Sequence, residues 1–462
     1  PNLLVYDWRS LDSKSPQYGK PSPWVAAKND ASKFFETSVT SNQSIVISGG
    51  GKTTTYKLGF NRNDEKGMMP NSNLAKNMLS LSGSLEPNDK FKFSSSINFT
   101  NQAATGRYGS GYGNVNAVTM FRQWWQTNVD ILDQKEAFER FRQNATWNPA
   151  GIEVDAGPIF WDNPYFVRYI NYENDSRNRL FGNVQAQYNL LPELSIIGRI
   201  GADMAFDQQE ERRGKSSVDL GYYNIYNRSY KEYNYDLLAN YNKDLNDDFN
   251  LNVGVGTNIR RSYISSIFSE TNTDLVVDGL YSISNSSGIP NPPSESYIPV
   301  GVDGIFATAT LNAWKRLSID ATIRRDQSTT LPEANNTFIY PSISAGYNFT
   351  DLVDQSWLSY GKLRASYSEV GNDAPALSVN NVYDKPTAFG TIPFFRLPTV
   401  KNNADLKPER TKAYEVGLDM AFLEHRIGFE LTYYNASTFD QIIPIQITGA
   451  TGYTSKYINS GE

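Results

Sequence analysis

Five aromatic side chains, Trp124, Trp125, Trp147, Trp161 and Tyr165, with Phe166 beside the last, fall in one long stretch, residues 101–178. Indole and phenol faces stack on sugars or pack against peptide side chains, so these five are the candidate ligand or partner contacts. Other residue types suited to chemistry are sparse or misplaced. The chain has 1 histidine, His425, and 0 cysteines, which removes disulfide scaffolds, thiol catalysis, zinc ribbons and His-rich metal centres. His425 sits in a short turn, Leu423–Arg426, without an acid partner at ligand spacing, and reads as a solvated turn residue. Gly49-Gly50-Gly51-Lys52-Thr53 imitates a phosphate loop, but Val46 stands where that pattern needs a glycine. A hairpin turn is expected there. Asp244, Asn246 and Asp248 imitate the start of a calcium loop, yet Phe249 occupies the sharp-turn glycine position and no glutamate closes the loop. The carboxylates Asp203, Asp320, Glu415, Asp419 and Glu430 are scattered, in company with Arg199, Arg324 and Arg364. Two of them at close spacing would suit glycoside hydrolysis, but their alternation with apolar residues assigns them to a polar wall. No enzyme, cofactor or metal site is expected.

The elements that must position these residues are strands. In 179–190 the even positions are Leu180, Gly182, Val184, Ala186, Tyr188 and Leu190; the odd ones are Arg179, Phe181, Asn183, Gln185, Gln187 and Asn189. Successive strand side chains point to opposite faces, so one face is apolar and the other polar, with Phe181 the exception. The same pattern runs through 249–259, 305–313, 317–324, 414–422 and 427–433. Roughly sixteen such segments, many about ten residues long, are the signature of a large antiparallel transmembrane β-barrel.

Connection lengths argue the same way. Short links (49–51, 87–89, 191–193, 243–248, 315–316, 423–426) alternate with long ones (62–75, 101–178, 262–299, 325–336, 372–408). Short turns at one rim and long loops at the other produce this rhythm. Tyr, Trp and Phe, 61 in all (8 + 29 + 24), collect near strand ends as interfacial girdles would. Within 101–178, residues 106–113 read as irregular, 117–141 as one or two short helices, and Trp147-Asn148-Pro149 and Trp161–Tyr165 as aromatic turns. No stretch approaches the roughly 18 apolar residues of a transmembrane helix. Net charge of −6 gives no basic footprint for nucleic acid. Mean hydropathy of −0.50 fits strands that show one face to lipid and the other to water.

Several segments resemble the SusC/RagA family of TonB-dependent transporters of the Gram-negative outer membrane. They include Phe34-Phe35-Glu36-Thr37 followed by Ile45–Gly50, Tyr56–Gly67, Thr146-Trp147-Asn148, Trp161-Asp162-Asn163-Pro164-Tyr165 and Tyr360–Gly371 with Asn372. The most specific is Asn403-Ala404-Asp405-Leu406-Lys407-Pro408-Glu409-Arg410-Thr411 running into Tyr414-Glu415-Val416-Gly417, similar to the opening of a late barrel strand. Tyr453–Glu462 resembles the segment leading into the next strand.

The resemblance implies a plugged barrel of about 22 strands, of which this chain would be the barrel portion, with plug domain and last strands outside it. Residues 1–41 would form the connection from the plug, and 42–462 the barrel with surface loops 101–178, 262–299 and 372–408. It further implies import of oligosaccharides or oligopeptides with a SusD-like surface lipoprotein. TonB would act through a segment absent here, in contact with membrane lipid and lipopolysaccharide. The alternative is a barrel serving as a structural subunit among other proteins of a larger outer-membrane complex. A soluble all-β carbohydrate-binding protein is a third reading, against which the loop parity argues.

Overall fold

The computed structural model describes residues 3–107, 109–152, 157–353 and 355–461. Tyr108 of the irregular stretch and Glu462 of the last resembling segment lie outside the described residues.

Fourteen strands form one antiparallel sheet in chain order. They are β1 (Val39–Gly50), β2 (Thr54–Lys66), β3 (Asn73–Asn88), β4 (Phe91–Arg107), β5 (Glu173–Asn189), β6 (Leu194–Arg213) and β7 (Tyr222–Asn246). They continue as β8 (Phe249–Glu270), β9 (Ser294–Ala313), β10 (Leu317–Ser328), β11 (Thr337–Asn348), β12 (Leu358–Asn372), β13 (Glu409–Phe422) and β14 (Ile427–Phe439). Each pairs with its neighbours in sequence, and β1 and β14 are the sheet's two edges, so the described wall does not close. Fourteen strands replace the expected sixteen. Ser455–Ser460 pairs with Gln441–Gln446 on one side and with Val400–Lys401 on the other in a separate three-stranded sheet. Among the described residues no helix is long and apolar enough to cross a membrane.

Loop parity holds for the longest loops but not throughout, since the short-rim link 349–357 exceeds the long-rim links 67–72, 214–221 and 329–336, and strands are longer than periodicity alone indicates. β4 and β5 continue to Arg107 and from Glu173, and β8 and β9 to Glu270 and from Ser294, taking up both ends of two expected loops. β7 has 25 residues and β8 has 22, against the roughly 9–11 a strand needs to cross a bilayer. Their outward rows show where the crossing part stops. On β8, Phe249, Leu251, Val253, Val255 and Ile259 give way to Arg261; on β9, Ala313 through Ile305 give way to Asp303. On β10 the apolar row Leu317–Ile323 ends at Arg325, and on β7 the row Tyr241–Tyr233 ends at Lys231. Lys231 pairs with Tyr263, Arg261 with Gly301 and Asp303 with Gln327. The boundary therefore steps toward the short-turn rim on each successive strand, as tilted strands require to keep one level.

At the short-turn rim, Trp357 stacks on Phe422 at 5.7 Å, Phe422 on Phe429 at 6.0 Å, and Phe249 meets Trp314 edge-on at 5.2 Å. These rings form the girdle expected of an interface. Trp314 and Lys315 close β9 and β10 with φ of 53° and 57°, the left-handed pair that matches strand twist in a two-residue hairpin. The glycine stretch is a hairpin too, with the Gly51 N–H donating to Thr54 O at 2.8 Å. Asn246 Oδ1 accepts from the N–H groups of Asp248 and Phe249, closing the turn that imitated a calcium loop. His425 is an exposed turn residue.

Candidate functional site

Two regions carry polar and aromatic groups that a solute could meet: the inner face of the wall and the loop assembly at the long-loop rim. The inner face is cross-linked by ion pairs between adjacent strands. Arg179 reaches Asp203 at 2.5 Å, Arg199 reaches Asp236 at 2.7 Å, and Asp207 sits between Arg177 at 2.5 Å and Arg228 at 3.3 Å. Arg364 gathers Glu415 at 2.9 Å, Asp419 at 3.6 Å and Glu430. Asp320 accepts a hydrogen bond from the Thr310 hydroxyl at 2.7 Å, and within β10 Arg324 pairs with Asp326 at 2.8 Å. The carboxylates are thus spoken for by guanidinium and hydroxyl groups, as a hydrogen-bonded wall requires.

The loop assembly is built on two helices, α1 (Ile131–Phe141) and α2 (Pro164–Tyr169). The Asp130 side chain caps α1 by accepting from the N–H groups of Leu132 and Asp133. Asn163 caps α2, with Pro164 at the first helical position, where its missing N–H costs nothing. Buried Phe34, Met69, Ala117, Ile131, Phe138, Tyr165 and Phe166 form its main core. That core joins the segment before β1, the β2–β3 connection and the long loop. Arg168 is fully buried beneath it; its guanidinium donates to Pro70 O at 3.0 Å, Arg107 O at 3.1 Å and Gly106 O. Asp162 is also buried and accepts from Asn144 at 2.7 Å, the Val218 N–H at 2.8 Å, Asn171 at 3.0 Å and Ser217. Burial pushes its carboxyl above the ordinary aspartate value, against the pull of those donors.

The five sequence-chosen aromatics come together, but as two pairs and a core residue. Trp124 is 48 % exposed and lies 6.1 Å from buried Trp161. Trp125 and Trp147, both half-buried, pack at 4.7 Å. Tyr165 is buried 5.2 Å from Phe34, with Phe166 in the same core. Trp124 and Trp147 present surface; Trp161 and Tyr165 hold the loop together.

Sequence reasoning missed the N-terminal segment. Residues 3–28 fold back on the long loop, and a cleft of about 700 Å³ opens between them, lined by Trp8, Trp24, Asn128, Gln134 and Trp147 among others. Arg9 fastens the two sides through Asp133 at 2.6 Å and Glu136 at 2.8 Å. Trp8 packs with Ala137, Ala145 and Phe141. The available signal was 2 of the chain's 8 tryptophans within its first 24 residues.

A tilted antiparallel wall, apolar outside, ion-paired inside and crowned by folded loops, has the build of an outer-membrane β-barrel. Residues 133–462 match the family described as TonB dependent receptor-like, beta-barrel. The chain belongs to that family. It is 23 % identical to the TonB-dependent receptor SusC of Bacteroides thetaiotaomicron, over 92 % of this chain and 43 % of that protein. To the TonB-dependent receptor P3 of Formosa agariphila it is 22 % identical, over 93 % and 43 %. The chain thus spans less than half the length of these relatives. A solved structure of the RagAB peptide transporter superposes with a TM-score of 0.81 at 18 % identity, covering 98 % of this chain and 51 % of that one. The two curated relatives are both described as TonB-dependent receptors.

Proposed function

We propose that the chain is barrel wall from a SusC-type, TonB-dependent transporter of the outer membrane, importing oligosaccharides or oligopeptides under a SusD-like lipoprotein. The observation that carries this reading is the inner face. Arg179, Arg199 and Arg364 are each paired with a carboxylate on an adjacent strand, and Arg177 and Arg228 share Asp207 between them. Such a wall is wet and polar without a strong net field, so solutes meet many weak hydrogen bonds and none that traps them. Gating would be conformational, by loops and plug, with no bond chemistry.

The test is uptake by cells carrying the full-length gene. Labelled oligosaccharides or oligopeptides are expected to accumulate only while TonB is present, and the protein to co-purify with one surface lipoprotein. Equal accumulation without TonB would remove the TonB-dependent reading, and recovery with several unrelated subunits and no uptake would replace the transporter by the structural-subunit reading.

A further inference from the structure

The outer side of a curved wall is convex, yet a hollow of about 700 Å³ opens there across β6–β9, just beyond the apolar belt. Its floor is one row of directly opposed residues: Phe206 pairs with Ser229, Ser229 with Ser265, and Ser265 with Tyr297. The row faces outward, two positions along from Met204, Lys231, Tyr263 and Pro299 on the same four strands. Two serines between two rings make the hollow. Phe206 is 48 % exposed and Tyr297 62 % exposed, and they stand three strand spacings apart, roughly 14 Å.

Lys231 stands at the lipid edge of this row, half-buried, and pairs with no carboxylate among the described residues. Its diagonal neighbour Arg261 is held by Asp303 at 2.7 Å. The anions that line the hollow do not oppose Lys231. Asp207 points inward to Arg177 and Arg228. Glu295 lies at the far end, four positions beyond Pro299 and roughly 13 Å from the level of Lys231. Toward the bilayer the outward rows turn apolar, with Met204, Ala202 and Ile200 on β6 and Tyr233 and Tyr235 on β7.

Long loops face the cell exterior in outer-membrane barrels, so this level is that of the outer-leaflet headgroups. A molecule resting here has acyl chains against an apolar row, an anion at the boundary and a ring-bearing polar head above it. Sugar rings pack on aromatic faces, and their hydroxyls exchange hydrogen bonds with serine hydroxyls. A phosphate answers the lone ammonium. A protein partner would first have to displace lipid from the rows beneath.

We propose that this hollow seats the headgroup of a phosphorylated glycolipid of the outer leaflet, with its phosphate on Lys231 and its sugar rings between Phe206 and Tyr297, over Ser229 and Ser265. The proposal rests on the outer-membrane placement, and transport plays no part in it.

The test strips the full-length protein of lipid in detergent and offers it lipid A, dephosphorylated lipid A or phosphatidylethanolamine, with bound lipid read by native mass spectrometry. Lipid A is expected to bind in preference to phosphatidylethanolamine. Lys231→Gln and dephosphorylation should each weaken it by about fivefold, as the loss of one charge at a lipid surface does. The two losses should not add, because they remove the same contact. Phe206→Ser, at an exposed position, should weaken both forms of lipid A by about fivefold through lost ring packing. Lys243→Gln, exposed at the short-turn end of β7, should bind as the parent does. The proposal is overturned if phosphatidylethanolamine binds equally well, if Lys231→Gln and Phe206→Ser bind as the parent does, or if Lys243→Gln weakens binding as much as Lys231→Gln. A photoreactive side chain in place of Tyr297 should capture glycolipid in cells; capture of a second copy or another protein instead would make the hollow a protein interface.

Discussion

Arg168 places a guanidinium where three backbone carbonyls converge from the β2–β3 connection and the end of β4. Arg168→Met is expected to leave Pro70, Gly106 and Arg107 without that donor, at a cost of about 2–4 kcal/mol to the loop assembly. Hydrogen exchange should show lost protection in α2 and residues 67–72 with the wall unaffected; Arg168→Lys, lacking the planar fork, should recover only part. Asp162 gives a pH signature. Its folded carboxyl sits above the ordinary 3.8, so the folded loop holds the proton more tightly than the unfolded chain does. Stability of the assembly is then greatest below the ordinary aspartate value and falls as pH rises through the raised one. Protection of the Val218 N–H, corrected for intrinsic exchange, follows that fall, and Asp162→Asn flattens it. A rise with pH would mean that the four donors outweigh burial. At this scale the sequence grouped Trp124, Trp125, Trp147, Trp161 and Tyr165 and could not separate exposed Trp124 from buried Trp161 and Tyr165, because burial depends on partners such as Phe34. Trp8 and Trp24 escaped notice because their cleft exists only once Arg9 reaches Asp133, 124 positions away.

Strands were the most legible elements, since period two survives in any sequence whose strands have a lipid face and a wet face. Val253 and Leu418 point outward, Asn252 and Asp419 inward. Val253→Arg or Leu418→Arg is expected to destabilise the barrel by about 2–4 kcal/mol near mid-bilayer, and Asn252→Arg much less. Chemical unfolding in lipid bilayers measures the difference, and equal effects on both faces would refute the membrane assignment. Boundaries were less legible. β4, β5, β8 and β9 continue past the apolar belt as polar ribbons, where both faces are wet and alternation has no cause. The helix at Ile131–Phe141 was foreseen in 117–141, whereas α2 was read as a turn: six residues are too few for a period, and its cap is Asn163 with Pro164.

For the whole molecule, family and wall were written in local motifs and loop parity, whereas the cleft and the rim core depend on contacts between distant segments. Each strand pairs with its sequence neighbour, so the wall assembles by short closures, hairpin upon hairpin. The longest joint is that between β4 and β5, whose ends at Arg107 and Glu173 flank the long loop. Closing it costs roughly 2–3 kcal/mol more entropy than a tight turn. Phe34, Arg168 and the α1–α2 core span that gap and offset the cost before the strands meet. The rim core is therefore expected to govern how fast β4 and β5 come together: loosening Arg168 should slow assembly of the wall at β5, far from any lipid-facing residue.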